Sequence, residues 1–265
     1  MAGFELRYLR VGAGQPLLLL HTLRTQLDYF SRLLARLESA GNELVAVDLP
    51  GHGESNAPRV DYDARTFVDA TAALLEHLDL RETTVVGESI GGTIALSLAA
   101  ARNPRIARVI AVNPYDYGRW GGIRRSSMLG NVLFTAIHWP VAGPVVARAE
   151  TPAILRRVLY GGLVDRTALP DELVAELTRC GRLPGHAHAL RSLCRQWRSW
   201  VAARELYPAI QVPVTVVYGD HDWSHPAERA ENGRTIPGAA MITIERCGHF
   251  ASLEHPDRVA AAIQR

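Results

Sequence analysis

The stretch VVGESIGGTIAL, residues 85–96, sets Ser89 between Gly87 and Gly91 where one apolar run ends and another begins. A serine hydroxyl is a weak nucleophile until a general base takes its proton and an acid orients that base. Downstream, Tyr218-Gly219-Asp220-His221-Asp222 closes one apolar run and Cys247-Gly248-His249-Phe250 follows another. An acid and a base therefore stand at the ends of two later elements. His249 is a better base than His255, which lies six positions on beside Pro256, at a helix start; Asp222 is favoured over Asp220 as the acid. G-x-S-x-G is short enough to arise by chance, and the competing reading is a serine that merely caps a helix. The surroundings favour chemistry. Ser89 follows a buried strand and precedes a helix, the context of a nucleophile on a sharp turn; glycines on either side suit the crowding, and the helix aims free N–H groups at an anion forming there.

Such a set needs a rigid scaffold, which the hydrophobic pattern supplies. Residues 4–11 read as a strand followed by the turn Gly12-Ala13-Gly14-Gln15-Pro16; Gly12-x-Gly14 lacks the third glycine and the helix of a dinucleotide site. Further strands are expected over 17–20, 43–47, 83–86 and 106–112, and helices over 27–40, 64–80 and 90–102. The alternation stops at Tyr115. Residues 115–211 show no convincing strand but helical spacing over 128–138, 152–160, 170–180 and 188–203, after which strands at 212–218 and 241–244 and helices at 226–235 and from about 256 resume the pattern. Strands alternating with helices imply an α/β fold with a doubly wound, mostly parallel sheet, its core formed by 1–114 and 212–265. The 115–211 segment reads as a helical cap over the carboxyl ends of the strands, where open α/β sheets bind ligands.

Composition narrows the partners. The chain has 265 residues, 48% of them hydrophobic, and 29 basic against 27 acidic residues give a net charge of +2. Neither sign forms a long run, so no footprint for nucleic acid or an anionic membrane is evident and a small molecule is the expected partner. Every basic residue is arginine, which excludes a Schiff base on lysine and with it covalent pyridoxal phosphate. Cys180, Cys194 and Cys247 are scattered, against a disulfide framework and for a reducing compartment. With no signal-like N-terminal segment and no apolar run near 18 residues, a cytoplasmic protein is expected. His186 and His188 form an H-x-H pair without a third ligand nearby, so neither a metal nor an organic cofactor is implied. Oligomeric state is not legible.

Taken together, the motifs make the chain resemble a capped serine-hydrolase branch of the α/β-hydrolase superfamily, over nearly all its length apart from the insertion. Besides GESIG it carries Asp48-Leu49-Pro50-Gly51-His52-Gly53-Glu54-Ser55, similar to the family's D-x-P-G-x-G-x-S segment, and GDHDWSHP and CGHF resemble its acid and histidine loops in the expected order. The resemblance implies Ser89, Asp222 and His249 as the catalytic set, with Asp116 a reserve acid. It implies the backbone N–H groups of Leu23 and Ile90 as the oxyanion hole. There the chain departs from the pattern: LLLLHTLRTQ places Thr22 where the family has glycine, restricting the backbone or offering a hydroxyl donor. Arg24 is a substrate-binding candidate, though pairing with a protein acid is favoured; His21 reads as packing. Serine at the elbow disfavours the haloalkane dehalogenase and epoxide hydrolase branches, which the resemblance says use aspartate.

The insertion contains Trp120, Trp139, Trp197 and Trp200, with Trp223 in the acid loop as a further substrate-binding candidate. Trp197 and Trp200, three apart, place at least one ring against the core. Arg124, Arg125, Arg156 and Arg157 read as solvated surface. A cap rich in Trp, Leu and Val implies an apolar acyl or ring pocket. The expectation is a serine hydrolase that cleaves a carboxylic ester, lactone or thioester through an acyl-enzyme, acting on an apolar carbonyl substrate. The same scaffold also hosts carbon–carbon bond hydrolases or lyases, peracid chemistry resembling cofactor-free haloperoxidases, cyclases and non-catalytic receptors. Thr22 gives weight to a non-esterase reaction, whereas an intact Ser, Asp and His argue against a receptor.

Overall fold

A computed structural model describes residues 3–38, 41–118 and 122–265; Trp120 and the end of the helix expected over 27–40 lie outside these residues. Seven strands form one sheet: β1 Tyr8–Gly12, β2 Gln15–Leu20, β3 Asn42–Val47, β4 Thr83–Glu88, β5 Ile106–Val112, β6 Val214–Gly219 and β7 Ala240–Ile244. Their order is β1-β3-β2-β4-β5-β6-β7. β1 runs antiparallel to β3 and every other pairing is parallel. The apolar runs have a direct cause. In β2, Leu18 and Leu20 pack into the cluster on one face of the sheet, while Leu17 and Leu19 pack into the cluster on the other. Period-two alternation with both faces covered leaves no polar position.

The helices covering the sheet are α1 Ser31–Leu37, α2 Ala64–His77 and α3 Ile90–Ala100. α2 starts on Asp63, whose side chain accepts from the Thr66 N–H at 2.8 Å, and buries Phe67, Thr71, Leu74 and Leu75. All eleven residues of α3 are buried, as expected of a helix apolar on every side. The segment expected as a helix from residue 27 opens instead with a 3₁₀ turn, Leu27–Phe30. The first strand is shorter than its pattern, because residues 5–7 bond the loop after β3 rather than a strand: the Asp48 N–H donates to the Arg7 carbonyl at 2.9 Å and the Arg7 N–H to Ser55 Oγ at 2.9 Å.

Between β5 and β6 come α4 Ile123–Ser126, α5 Met128–Ala136, α6 Ala142–Arg148, α7 Pro152–Tyr160, α8 Asp171–Gly181, α9 His186–Arg195 and α10 Trp197–Ala202. No strand lies there among the described residues. The helix expected over 188–203 is two helices, broken at Gln196 (φ −84°, ψ 17°). α6 was not legible in the pattern. The insertion is fastened to α2: the Ala64 N–H donates to Ser199 Oγ at 2.9 Å, and Trp200, buried, meets Phe67 with ring centroids 5.4 Å apart. The chain then returns to the core with α11 Pro226–Thr235, α12 Ala251–Glu254 and α13 Pro256–Ile263. No described helix is long and apolar enough to cross a membrane.

Two glycines let α3 start where it does. A Cβ on Gly87 would lie 2.0 Å from the Gly91 carbonyl oxygen, and one on Gly91 would lie 2.1 Å from the Leu20 carbonyl oxygen. Neither contact can relax, since each pits a side chain against backbone. Gly91→Ala is expected to destabilise the protein by about 2–3 kcal/mol, lowering Tm by roughly 4–12 °C in calorimetry; an unchanged Tm would contradict this packing.

Candidate active site

Ser89 sits between β4 and α3 at φ 59°, ψ −119°, a conformation costing a non-glycine residue on the order of 1–3 kcal/mol. Hydrogen bonds hold it there. The Ser89 N–H donates to the Val112 carbonyl at 2.9 Å, and the Ser89 carbonyl accepts from the Thr93 and Tyr115 N–H groups at 3.1 and 3.0 Å. The side chain makes no capping bond to α3, which decides against a capping serine. Its Oγ instead lies 2.9 Å from His249 Nε2.

His249 Nδ1 lies 2.5 Å from Asp222 Oδ1. A carboxylate can only accept, so Nδ1 carries the ring proton and Nε2 is left to accept from the serine hydroxyl. Asp222 Oδ2 accepts from the Tyr117 hydroxyl at 2.9 Å, the Ser224 N–H at 2.9 Å and the Ser224 hydroxyl. Burial alone would push the Asp222 carboxyl up, but the attraction of His249 and the hydrogen bonds from His249 and Ser224 outweigh it and hold the carboxyl below its ordinary value. All three side chains are buried.

Residues with no motif of their own fix this chain. Asn113, just past β5, donates from Nδ2 to the His249 carbonyl at 2.9 Å and accepts from the Gly219 N–H at 2.9 Å, joining the histidine and acid loops. The His249 N–H donates to the Gly162 carbonyl at 2.7 Å, in the insertion. Trp223 stacks on His249 with centroids 3.8 Å apart and planes at 12°, and its Nε1–H donates to the Gly161 carbonyl at 3.0 Å. Asn113, Tyr117 and Gly162 were missed in the sequence, for each is a lone residue whose partner lies across the fold; Ser224 stands in the acid loop two residues from its partner Asp222 and went unassigned there.

Leu23 and Ile90 flank the serine. Ile90 opens α3, so its N–H has no partner within the helix, and among the described residues neither N–H donates a hydrogen bond. The peptide that carries the Leu23 N–H is clamped by its carbonyl: the Thr22 oxygen accepts from His21 Nδ1 at 2.8 Å, the Thr25 N–H at 3.2 Å and Thr25 Oγ1 at 3.0 Å. His21 Nε2 accepts from the Leu49 N–H at 2.9 Å, which leaves the ring proton on Nδ1, and burial lowers the ring's pKa to about 4. This histidine ties the loops after β2 and β3. Thr22 sits outside the left-handed region, so threonine at that position brings no backbone strain; Arg24, at φ 64°, occupies it instead. The Thr22 hydroxyl donates to the Leu23 carbonyl at 3.2 Å.

A narrow cavity of about 30 Å³ is lined by Thr22, Leu23, Arg24, Ser89, Trp223 and His249, with apolar side chains of the insertion opposite. Through Leu23, Ile123 and Val158 it adjoins an apolar cavity of about 160 Å³, walled by Leu133, Phe134, Ile137, Val146, Ile154 and Leu190. Arg24 meets a protein acid, pairing with Glu150 and donating from NH1 to the Leu177 carbonyl at 3.1 Å.

The remaining candidates lie elsewhere. Asp116 accepts from Tyr207 and Asn232 at 3.0 and 2.9 Å, and burial lifts its carboxyl to about 6; it has no bond to His249. Asp220 faces His221 at 2.7 Å. His186 and His188 bond the Gly53 and Val60 carbonyls, and the described residues contain no cluster of three or more metal-ligating side chains. Arg125 is not solvated surface: it grips Glu228 at 2.6 and 3.0 Å and donates to the Trp223 carbonyl at 3.0 Å. Trp139 is 59% exposed.

The model of the alpha/beta hydrolase family matches residues 17–262. An uncharacterized protein of Mycobacterium tuberculosis is 25% identical over 277 residues, covering 99% of this chain and 78% of that protein. Pimeloyl-[acyl-carrier protein] methyl ester esterase of Neisseria meningitidis is 26% identical over 264 residues, covering 94% of this chain and 92% of that protein. Among solved structures, Cfl2 from Burkholderia cenocepacia shares the fold, with a TM-score of 0.87 at 21% identity over 99% of this chain and 92% of that one.

Glu88, immediately before Ser89, is buried, and its carboxyl accepts from the Ser252 N–H at 3.3–3.4 Å. Burial pushes it up to about 7 against those hydrogen bonds. Because the folded value lies above that of the unfolded chain, its contribution to stability is present below about pH 4.5 and is lost as pH rises through 7. Glu88→Gln is therefore expected to be more stable than wild type at pH 8, by on the order of 3 kcal/mol, with the advantage vanishing near pH 4.5. Urea unfolding at the two pH values reads this, and a pH-independent difference would contradict it.

Proposed function

The chain belongs to the alpha/beta hydrolase family, and from that premise we propose that it is a serine hydrolase acting on a carboxylic ester, lactone or thioester with an apolar acyl or ring group. The observation that carries the reading is the unbroken hydrogen-bonded chain from Ser89 Oγ through His249 to a buried, ionised Asp222. Ester cleavage in the name of the Neisseria relative supports it.

In this mechanism Ser89 Oγ attacks the carbonyl carbon while His249 Nε2 takes the hydroxyl proton. The carbonyl oxygen becomes an oxyanion, met by the Leu23 and Ile90 N–H groups and the amino end of α3. Collapse of the tetrahedral intermediate breaks the bond to the leaving group, which takes the proton from His249. Water then adds to the acyl-enzyme with His249 as base, and the acid leaves with Ser89 restored. Asp222 orients the ring and holds the imidazolium whenever it forms, and Trp223, stacked on the ring, keeps it in place. The 115–211 helices act as a cap, and the cavity of about 160 Å³ receives the apolar group.

The test is turnover of p-nitrophenyl acetate, butyrate and hexanoate. Wild type should favour the longer acyl groups, Ser89→Ala should lose at least about 10³-fold in kcat, and Val158→Phe, which narrows the junction of the cavities, should cut kcat/KM for hexanoate at least tenfold more than for acetate. No turnover of any ester, or full activity in Ser89→Ala, would contradict the reading.

A further inference from the structure

The turn after β2 carries an unusual load on one side chain. Arg24 is the residue next to Leu23 and holds a left-handed backbone at φ 64°, a region where a side chain is strained. Nothing in the local sequence favours it, because arginine has no short polar group to bond its own backbone there. What holds the residue is the turn closed around it, in which the Thr25 N–H donates to the Thr22 carbonyl at 3.2 Å, together with the contacts at the far end of its side chain. The guanidinium pairs with Glu150, which lies between α6 and α7, and donates to the Leu177 carbonyl in α8. The same helix makes room for it: at Gly181 a Cβ would fall 2.0 Å from Arg24 NH2. Both partners of the pair are about four-fifths buried, with 19% of each side chain exposed.

Two separate parts of the insertion, the α6–α7 connection and α8, thus converge on one arginine, whose own backbone adjoins the peptide bearing the Leu23 N–H. The carbonyl side of that peptide is fixed within the loop by His21 and Thr25. Its other flank continues into Arg24, the one residue of this turn whose side chain reaches into the insertion to an ion pair. We propose that the Arg24–Glu150 pair is a latch that couples the seating of the insertion to the position of the Leu23 N–H, which makes Arg24 and Glu150 positioning residues for the oxyanion. The proposal rests on the serine-hydrolase reading. It assigns the pair a role that an ordinary surface bridge lacks, since a bridge that only tied the insertion down would affect stability and leave the chemical step alone.

The consequence is a split in the kinetics. The latch acts on a donor that matters most when the carbonyl oxygen becomes an anion, so breaking it should lower kcat and leave ground-state binding of a neutral ester in place. The experiment compares wild type with Glu150→Gln, Glu150→Asp, Arg24→Gln and Arg156→Gln, the last breaking the exposed Arg156–Asp171 pair of the insertion. Each is assayed for kcat and KM with p-nitrophenyl butyrate, for inhibition by butylboronic acid, whose adduct with serine is a tetrahedral anion, and for Tm. Expected are a tenfold or greater fall in kcat for Glu150→Gln and Arg24→Gln with KM within twofold, a matching rise in the boronate inhibition constant, and partial rescue by Glu150→Asp. Arg156→Gln should keep wild-type kcat. Wild-type kcat and boronate affinity in Glu150→Gln would overturn the latch and leave the hydrolase reading intact, as would losses that follow Tm alone or occur equally in Arg156→Gln. A wild type that turns over no ester would overturn both.

Discussion

A buried imidazole bonded at one nitrogen to a carboxylate and at the other to a hydroxyl tolerates little displacement. At 2.5 and 2.9 Å, a shift of about 1 Å at either end takes the contact out of hydrogen-bonding range. The three residues come from loops after β4, β6 and β7, so the sheet must bring those loops to one edge in register. It does so with parallel strands, β4 and β6 buried within the sheet and β7 at its exposed edge. The serine end is the most demanding, because Ser89 keeps a strained backbone that survives only where the surroundings over-determine it. Gly87, Gly91, the carbonyl of Val112 and the amides of Thr93 and Tyr115 supply that determination.

The histidine end depends on the inserted helices as much as on the sheet. The Gly162 carbonyl receives the His249 N–H, and the Gly161 carbonyl receives the indole N–H of the tryptophan stacked on the ring. Gly162 is packed so closely that a Cβ there would come within 2.5 Å of Phe250 and 2.8 Å of Trp223. The insertion is therefore a structural partner of the hydrogen-bonded chain as well as a wall of the adjoining cavities. In the proposed mechanism this makes it more than a cover, since its seating reaches the imidazole on one side and, through Arg24, the turn after β2 on the other.

Much of this was legible in the sequence, for reasons specific to each element. β5 and α7 follow the pattern residue for residue, one as a strand apolar but for Arg108 and paired on both sides, and the other as an amphipathic helix opened by Thr151 and Pro152. Ser89, Asp222 and His249 were visible because each ends a strand in a short turn of characteristic residues. Other features leave no local trace. Asn113 and Tyr117 matter through partners more than 100 residues away, α6 contains Pro144 and three glycine or alanine positions that blur its period, and the break at Gln196 is a backbone event without a proline or glycine to announce it. Arg125 looked like surface because nothing in IRRSS reveals that Glu228 waits across the fold. Threonine at position 22 suggested an altered loop, whereas the strained residue of that turn is Arg24.

The central claim is that Ser89 is an activated nucleophile and not merely a serine on a strained turn. Intact-protein mass after exposure to a fluorophosphonate, with wild type and Ser89→Ala in parallel, tests it most directly. The account predicts one phosphonyl adduct per wild-type chain, located on Ser89 by peptide mapping, and none on Ser89→Ala. An unlabelled wild type, or an adduct that persists in Ser89→Ala, would contradict it.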